Sequence, residues 1–139
     1  GCHMSFLDLD EWLLGITRAE YRRRLYSQSL IVHLCKRLAW EEQPQQPYRS
    51  SSLDEAGFIH CSKPGQILNV ANTYYLGEED LLLLWIDPER LQAKLRWEAA
   101  DNDLFPHIYG ALNREAVIAV QPFPCDKDGV FRSFFQPDF

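Results

Sequence analysis

The stretch Gly57–Tyr75, GFIHCSKPGQILNVANTYY, decides the fold. Gly57 is the residue type at which a chain leaves a helical turn in the left-handed region. Phe58–Ser62 is expected to form a short strand, and Pro64 suits a first helical turn, where its missing N–H costs nothing. Ile67, Val70, Ala71 and Tyr74 recur at i, i+3, i+4 and i+7, so one face of the following helix should be buried. Alternation along the strand sends Phe58, His60 and Ser62 one way and Ile59 and Cys61 the other. A strand that delivers a histidine and a serine just before a helix start is a natural anion site.

Working outward, Leu81–Ile86 is apolar without interruption, which predicts a central strand covered on both faces. Upstream, Leu30–Arg37 predicts a first strand, with Ile31, His33 and Cys35 on one face and Leu30, Val32 and Leu34 on the other. His33 there is either a hydrogen-bonded core residue or a cleft residue, and both readings stand. Leu38–Glu42 suits a helical turn, and Ser52-Leu-Asp-Glu55 has capping-box spacing for a turn that Gly57 ends. Downstream, Lys94–Glu98 predicts a strand on which Leu95 and Trp97 oppose Arg96 and Glu98. Phe105–Gly110, bounded by Pro and Gly, is expected to be a loop carrying His107 and Tyr109. Val117–Val120 is a short strand, Asp126–Gly129 a hairpin turn, and the aromatic Val130–Phe139 should pack back on the body.

The N-terminal part differs in character. Leu9, Trp12, Leu13 and Ile16 predict an amphipathic helix weakened at Gly15. Thr17-Arg-Ala-Glu20 should cap a second, with Tyr21 and Leu25 as apolar contacts. Arg22–Arg24 weighs more as a solvated face than as a phosphate or partner site. Residues 1–28 are therefore expected to be a helical arm, with 1–3 resembling the remnant of a cleaved tag, and 29–139 a single α+β domain.

At 139 residues, 46% hydrophobic and 24% charged, the chain can build a proper core and is not of disordered composition. A formal net charge of −6 argues against nucleic-acid binding. The sequence lacks an apolar run of membrane-spanning length, so no membrane association is expected. Its four cysteines form no CxxC pair, so reduced thiols and a cytoplasmic location are expected. Histidine and cysteine spacings match no metal-ligand signature, and GxSxG, Walker and GxGxxG motifs are absent. Cys61, in phase with Ile59, should be buried and inert. There remain His33, His60, Ser62, Glu98, His107 and Tyr109, with Tyr75 and Trp97 near them in sequence. They suit a small anionic or nucleotide-like ligand, set against the plainer reading that they satisfy local backbone groups.

The segments IVHL, YRSSSLDEAGFIHCS, Gln66 on a helix, LLLLWID, RWE and FPHIYGAL resemble the family named domain of unknown function 952, from about Leu30 to Val120. That family is similar in fold to ADP-ribosyltransferases, whose two small twisted sheets enclose a cleft for NAD. The resemblance implies that His33 contacts the nicotinamide ribose. It also likens the HCS of His60–Ser62 to the HLS segment of RNA 2′-phosphotransferases and puts Tyr75 at the nicotinamide-stacking position. Glu98 becomes the nearest candidate for the catalytic glutamate. His33, His60 and Glu98 are thus the expected catalytic set, and Ser62, Gln66, Tyr75, Trp97, His107 and Tyr109 the ligand-binding set. NAD would be the ligand, with ADP-ribosyl transfer or hydrolysis of the bond to nicotinamide as the chemistry. No arginine matches the phosphate-binding arginines of the phosphotransferases. The alternative is a non-catalytic interaction module that meets a protein partner through the arm.

Overall fold

A computed structural model describes residues 15–139, in two compact units: residues up to Ser29 with Asp138 and Phe139, and Leu30–Pro137. The helix expected around Leu9, Trp12 and Leu13 lies outside the described residues, as do Cys2 and His3.

In the first unit, helix α1 (Arg18–Gln28) starts where its capping box predicts. The Glu20 amide donates to Thr17 Oγ1 at 3.1 Å, and the Thr17 amide donates to Glu20 Oε2 at 3.2 Å. Leu25, expected as an apolar contact, is instead 50% exposed. Arg22 and Arg24 face solvent, and Arg23 Nε lies 3.4 Å from Asp138.

The second unit holds six strands in two three-stranded antiparallel sheets. One sheet has the order β1 (Ile31–Lys36), β3 (Leu81–Ile86), β6 (Val117–Pro122). In the other, β5 (Asp103–Tyr109) lies between β2 (Ile59–His60) and β4 (Lys94–Ala100). Among the described residues there are four α-helices: α1, α2 (Arg37–Glu41), α3 (Ser51–Ala56) and α4 (Ile67–Tyr74), the last preceded by a 3-10 turn at Pro64–Gln66.

Every residue of β3 is buried, as its composition requires. Leu82, Leu84 and Ile86 join Ile31 and Cys35 of β1, Ile59 and Ile108 of the second sheet, and Cys61 just after β2 in the inner core. Trp85 meets the tail instead: its ring lies 6.2 Å from Phe134, which packs on Phe123, itself stacked on Phe131 at 5.3 Å. The expected docking of the aromatic tail is therefore observed.

The segment after Gly57 links the two sheets. Ile59 and His60 pair with Ile108 and His107, and the Cys61 amide donates to the Pro106 carbonyl. Continuing that ladder needs an N–H at Pro106, which proline lacks, so β2 stops after two residues. The chain crosses at once to β1, where Ser62 and Val32 exchange amide–carbonyl bonds of 2.8 Å.

Four further expectations need correction. Phe105–Gly110 is not a loop but the greater part of β5; Pro106 is tolerated there because its neighbour on one side ends beside it. The Ser52–Glu55 capping box is not formed: α3 starts at Ser51, and Ser52 Oγ donates to the Phe58 carbonyl at 2.8 Å. Tyr74 is 63% exposed, so the buried face of α4 is Ile67 and Ala71. Asp126–Gly129 does form a tight turn, with Gly129 N–H on the Asp126 carbonyl, but no strands flank it.

Gly57 ends α3 at φ 87°, with its amide on the Leu53 carbonyl. A Cβ there meets no atom within 4 Å, so the cost of Gly57→Ala is conformational. A loss of about 1–2 kcal/mol is expected from urea unfolding, and a neutral result would rule out left-handed strain at this position.

Candidate functional site

The second sheet turns Ile59 and Ile108 into the core, so strand alternation sends Phe58, His60, His107 and Tyr109 to its other face. The β4–β5 register sets Arg96 opposite His107 and Glu98 opposite Phe105, adding both to that face.

Phe58 stacks on His107 with ring centroids 4.0 Å apart and planes 19° apart. His60 stands edge-on to His107 at 5.5 Å, and Tyr109 lies 5.3 Å from Phe58. Glu98 Oε1 accepts from His107 Nδ1 at 2.9 Å and from the Tyr109 hydroxyl in a very short bond. The Arg96 guanidinium lies 5.1 Å from the centre of the Tyr109 ring.

The Tyr109 hydrogen bond, followed by that of His107, holds the Glu98 carboxyl below its ordinary pKa. The same contact pushes the Tyr109 hydroxyl up. An ionised carboxylate only accepts, so His107 Nδ1 carries the proton, and in the neutral ring Nε2 keeps a lone pair. Burial, and secondarily the neighbouring His107, lowers the His60 pKa. Both donors act on Glu98 Oε1, leaving Oε2 with acceptor capacity on a side chain 37% exposed. The face thus combines an oriented carboxylate, two imidazoles, a phenol, a guanidinium and an aromatic platform. It can hold a polar ligand and move a proton.

The expected catalytic set does not converge whole. His60 and Glu98 share this face through His107, but the His33 ring is buried with Tyr48. His33 Nδ1 bonds the His60 carbonyl at 2.5 Å, and Nε2 bonds Tyr48 Oη at 3.0 Å. The carbonyl can only accept, so Nδ1 bears the proton and Nε2 accepts from the tyrosine. Burial lowers the His33 pKa to about 4, so the ring is neutral near neutral pH.

The expected ligand set also divides. His107 and Tyr109 lie on the site face; Ser62 does not share it with His60, because the crossing to β1 buries it. Gln66 is a staple: its Oε1 accepts from the Lys63 amide at 2.8 Å, and its Nε2 donates to Asp103 Oδ2 at 2.7 Å and the Leu104 carbonyl at 2.9 Å. Tyr75 is half-buried, within electrostatic reach of Cys35 and Tyr48. Trp97 is on the opposite face of β4 from Glu98 and is 47% exposed. Cys61 is buried and its thiol pKa is pushed up by burial, in keeping with an inert role. Among the described residues no cluster of three or more His, Cys, Asp or Glu is placed to hold a metal ion, and no helix is long and apolar enough to cross a membrane.

Phe58 and Arg96 belong to the site although they were not among the expected residues. Their signal was strand phase, which pairs Phe58 with His60 and Arg96 with Glu98.

A family model described as a protein of unknown function, DUF952, matches residues 34–120. The chain belongs to this family. The match begins just after His33 and spans the whole site face, so the site is built from the part that DUF952 defines. The crystal structure of protein CC0527 from Caulobacter crescentus is similar at 31% identity and a TM-score of 0.68, over 74% of this chain and 93% of that one. The solution NMR structure of CC0527 is similar at 33% identity and a TM-score of 0.64, over 75% and 92%. No curated protein matches the chain.

Proposed function

We infer that this DUF952 protein is ADP-ribosyltransferase-like in fold and binds NAD or a related nucleotide on the face formed by Phe58, His60, Arg96, Glu98, His107 and Tyr109. The observation that carries the reading is Glu98, held by His107 Nδ1 and the Tyr109 hydroxyl with one carboxylate oxygen to spare. An aromatic ring beside cationic and imidazole groups suits a nucleotide, offering a stacking surface for the base and donors for phosphate oxygens.

The chemistry such a carboxylate suits is ADP-ribosyl transfer or its hydrolytic counterpart. In it the bond between ribose C1′ and the nicotinamide nitrogen breaks, nicotinamide leaves neutral, and water or an acceptor attacks C1′. Glu98 Oε2 would accept from the ribose 2′-hydroxyl and stabilise the positive charge at C1′, with no covalent nucleophile. His33 would act as a positioning residue, holding the His60 backbone through Nδ1.

A second reading, a non-catalytic interaction module meeting a partner through the arm, draws on the same histidine. Both its ring nitrogens are engaged within the protein, leaving none for a ribose.

An NMR titration with NAD tests the reading. Saturable shifts at His60, His107 and Tyr109 in the wild type, lost in His60→Ala, are expected. An unshifted spectrum at millimolar NAD would remove the nucleotide reading and favour the interaction module. Glu98→Gln, titrated alongside, should bind NAD yet abolish release of nicotinamide if turnover occurs.

A further inference from the structure

The second sheet ends on β4, and β5 is the strand hydrogen-bonded to it among the described residues. This edge is seven residues long, KLRWEAA, with Trp97 at its centre. Trp97 and Leu104, 47% and 50% exposed, put apolar surface beside it. A long unpaired edge is a template for another strand.

We propose that β4 pairs antiparallel with β4 of a second copy of this chain, about a two-fold axis at Trp97, giving a continuous six-stranded sheet. In that register all seven residues pair. Lys94 meets the partner's Ala100, Leu95 meets the partner's Ala99, Arg96 meets the partner's Glu98, and the two Trp97 rings meet on the axis.

Charges on an edge ordinarily deter pairing. Here they select one register. Sliding by two residues keeps the faces aligned but sets Arg96 against the partner's Arg96, or Glu98 against the partner's Glu98. Sliding by one turns the tryptophan face against the charged face. The Trp97-centred arrangement alone converts Arg96 and Glu98 of each strand into opposite-sign pairs, and directly opposed cross-strand charges favour opposite over like sign.

The site gains from the pairing. Glu98 already accepts from His107 and Tyr109, and the partner's Arg96 would add a guanidinium beside it. Each copy would complete the other's site face, whichever ligand that face takes.

Sedimentation and light scattering over a range of protein concentration test the proposal by charge reversal. Arg96→Glu makes both cross-axis pairs acidic, and Glu98→Arg makes both basic, so each variant alone should dimerise about tenfold more weakly or worse. Mixed together, the two variants are complementary and should form a heterodimer of near wild-type affinity. Trp97→Glu, at an exposed position that does not contact Glu98, should also give a monomer and covers the case in which Glu98→Arg fails to fold. A monomeric wild type at the highest concentration, a dimer indifferent to Arg96→Glu and Trp97→Glu, or no heterodimer from two folded variants would overturn it.

Discussion

Mild acid should destabilise this protein through His33, with stability falling by about 3 kcal/mol as pH drops from 6.5 to about 4. The ring is buried, it donates from Nδ1 to the His60 carbonyl, and it accepts at Nε2 from Tyr48. Protonating Nε2 would bury a charge and oblige the Tyr48 hydroxyl to turn its hydrogen away and accept instead. The folded pKa therefore lies below the unfolded one. Between the two, the unfolded chain takes up the proton while the folded one does not. The stabilisation is complete above 6.5 and is lost as pH falls through about 4. His60 is shifted in the same direction, mainly by burial. Glu98 adds to the loss only in a lower window, below its ordinary carboxyl pKa of 4.5. Urea midpoints across this range should therefore slope in the wild type and flatten in His33→Gln, which keeps an amide donor and acceptor but cannot titrate. A wild-type midpoint independent of pH, or an unchanged slope in His33→Gln, would show that His33 is not the acid-sensitive element.

How far the sequence reveals this arrangement depends on which physical signal each element carries. The strand β3 is plain because six consecutive apolar residues cannot be covered on one face alone. Helix α1 is plain because Thr17 and Glu20 satisfy each other's backbone amides locally. The strand β5 is concealed: Pro106 and Gly110 mark breaks, and only the early end of β2 explains why a proline is tolerated. That misreading hides the key contact as well, since Glu98 reaches His107 and Tyr109 across the β4–β5 hairpin. Its turn, at Asp101 and Asn102, takes φ of 48° and 62°, which asparagine and aspartate tolerate better than most residues. The outward phase of Phe58 and His60 was legible, whereas that of Ser62 was not, because the alternation fails where the chain changes sheets. The two readings of His33 could be separated only by Tyr48, a partner 15 residues away that no local pattern connects to it.

The largest loss of stability is expected from Trp85→Ala, about 3–5 kcal/mol, a large part of the 5–15 kcal/mol typical of a domain. Trp85 is fully buried in the central strand. Its Nε1 donates to Gln121 Oε1 at 2.7 Å, and Gln121 Nε2 donates in turn to the Phe135 carbonyl at 2.8 Å. Removing the indole therefore opens a cavity, deprives Phe134 of one of its two ring contacts and takes one hydrogen bond from the residue that tethers the tail. Trp85→Phe separates these effects, because it retains most of the packing but supplies no donor to Gln121. A loss of roughly 1–2 kcal/mol is expected for it. Urea unfolding measures both variants, and limited proteolysis should cut the tail sooner in Trp85→Ala than in Trp85→Phe. The site face belongs to the other sheet, so Trp85→Ala, while still folded, should show the wild-type response of His60 and Tyr109 to NAD. A Trp85→Ala loss below about 1 kcal/mol would mean that the tail re-packs into the space and that its anchorage does not depend on this indole.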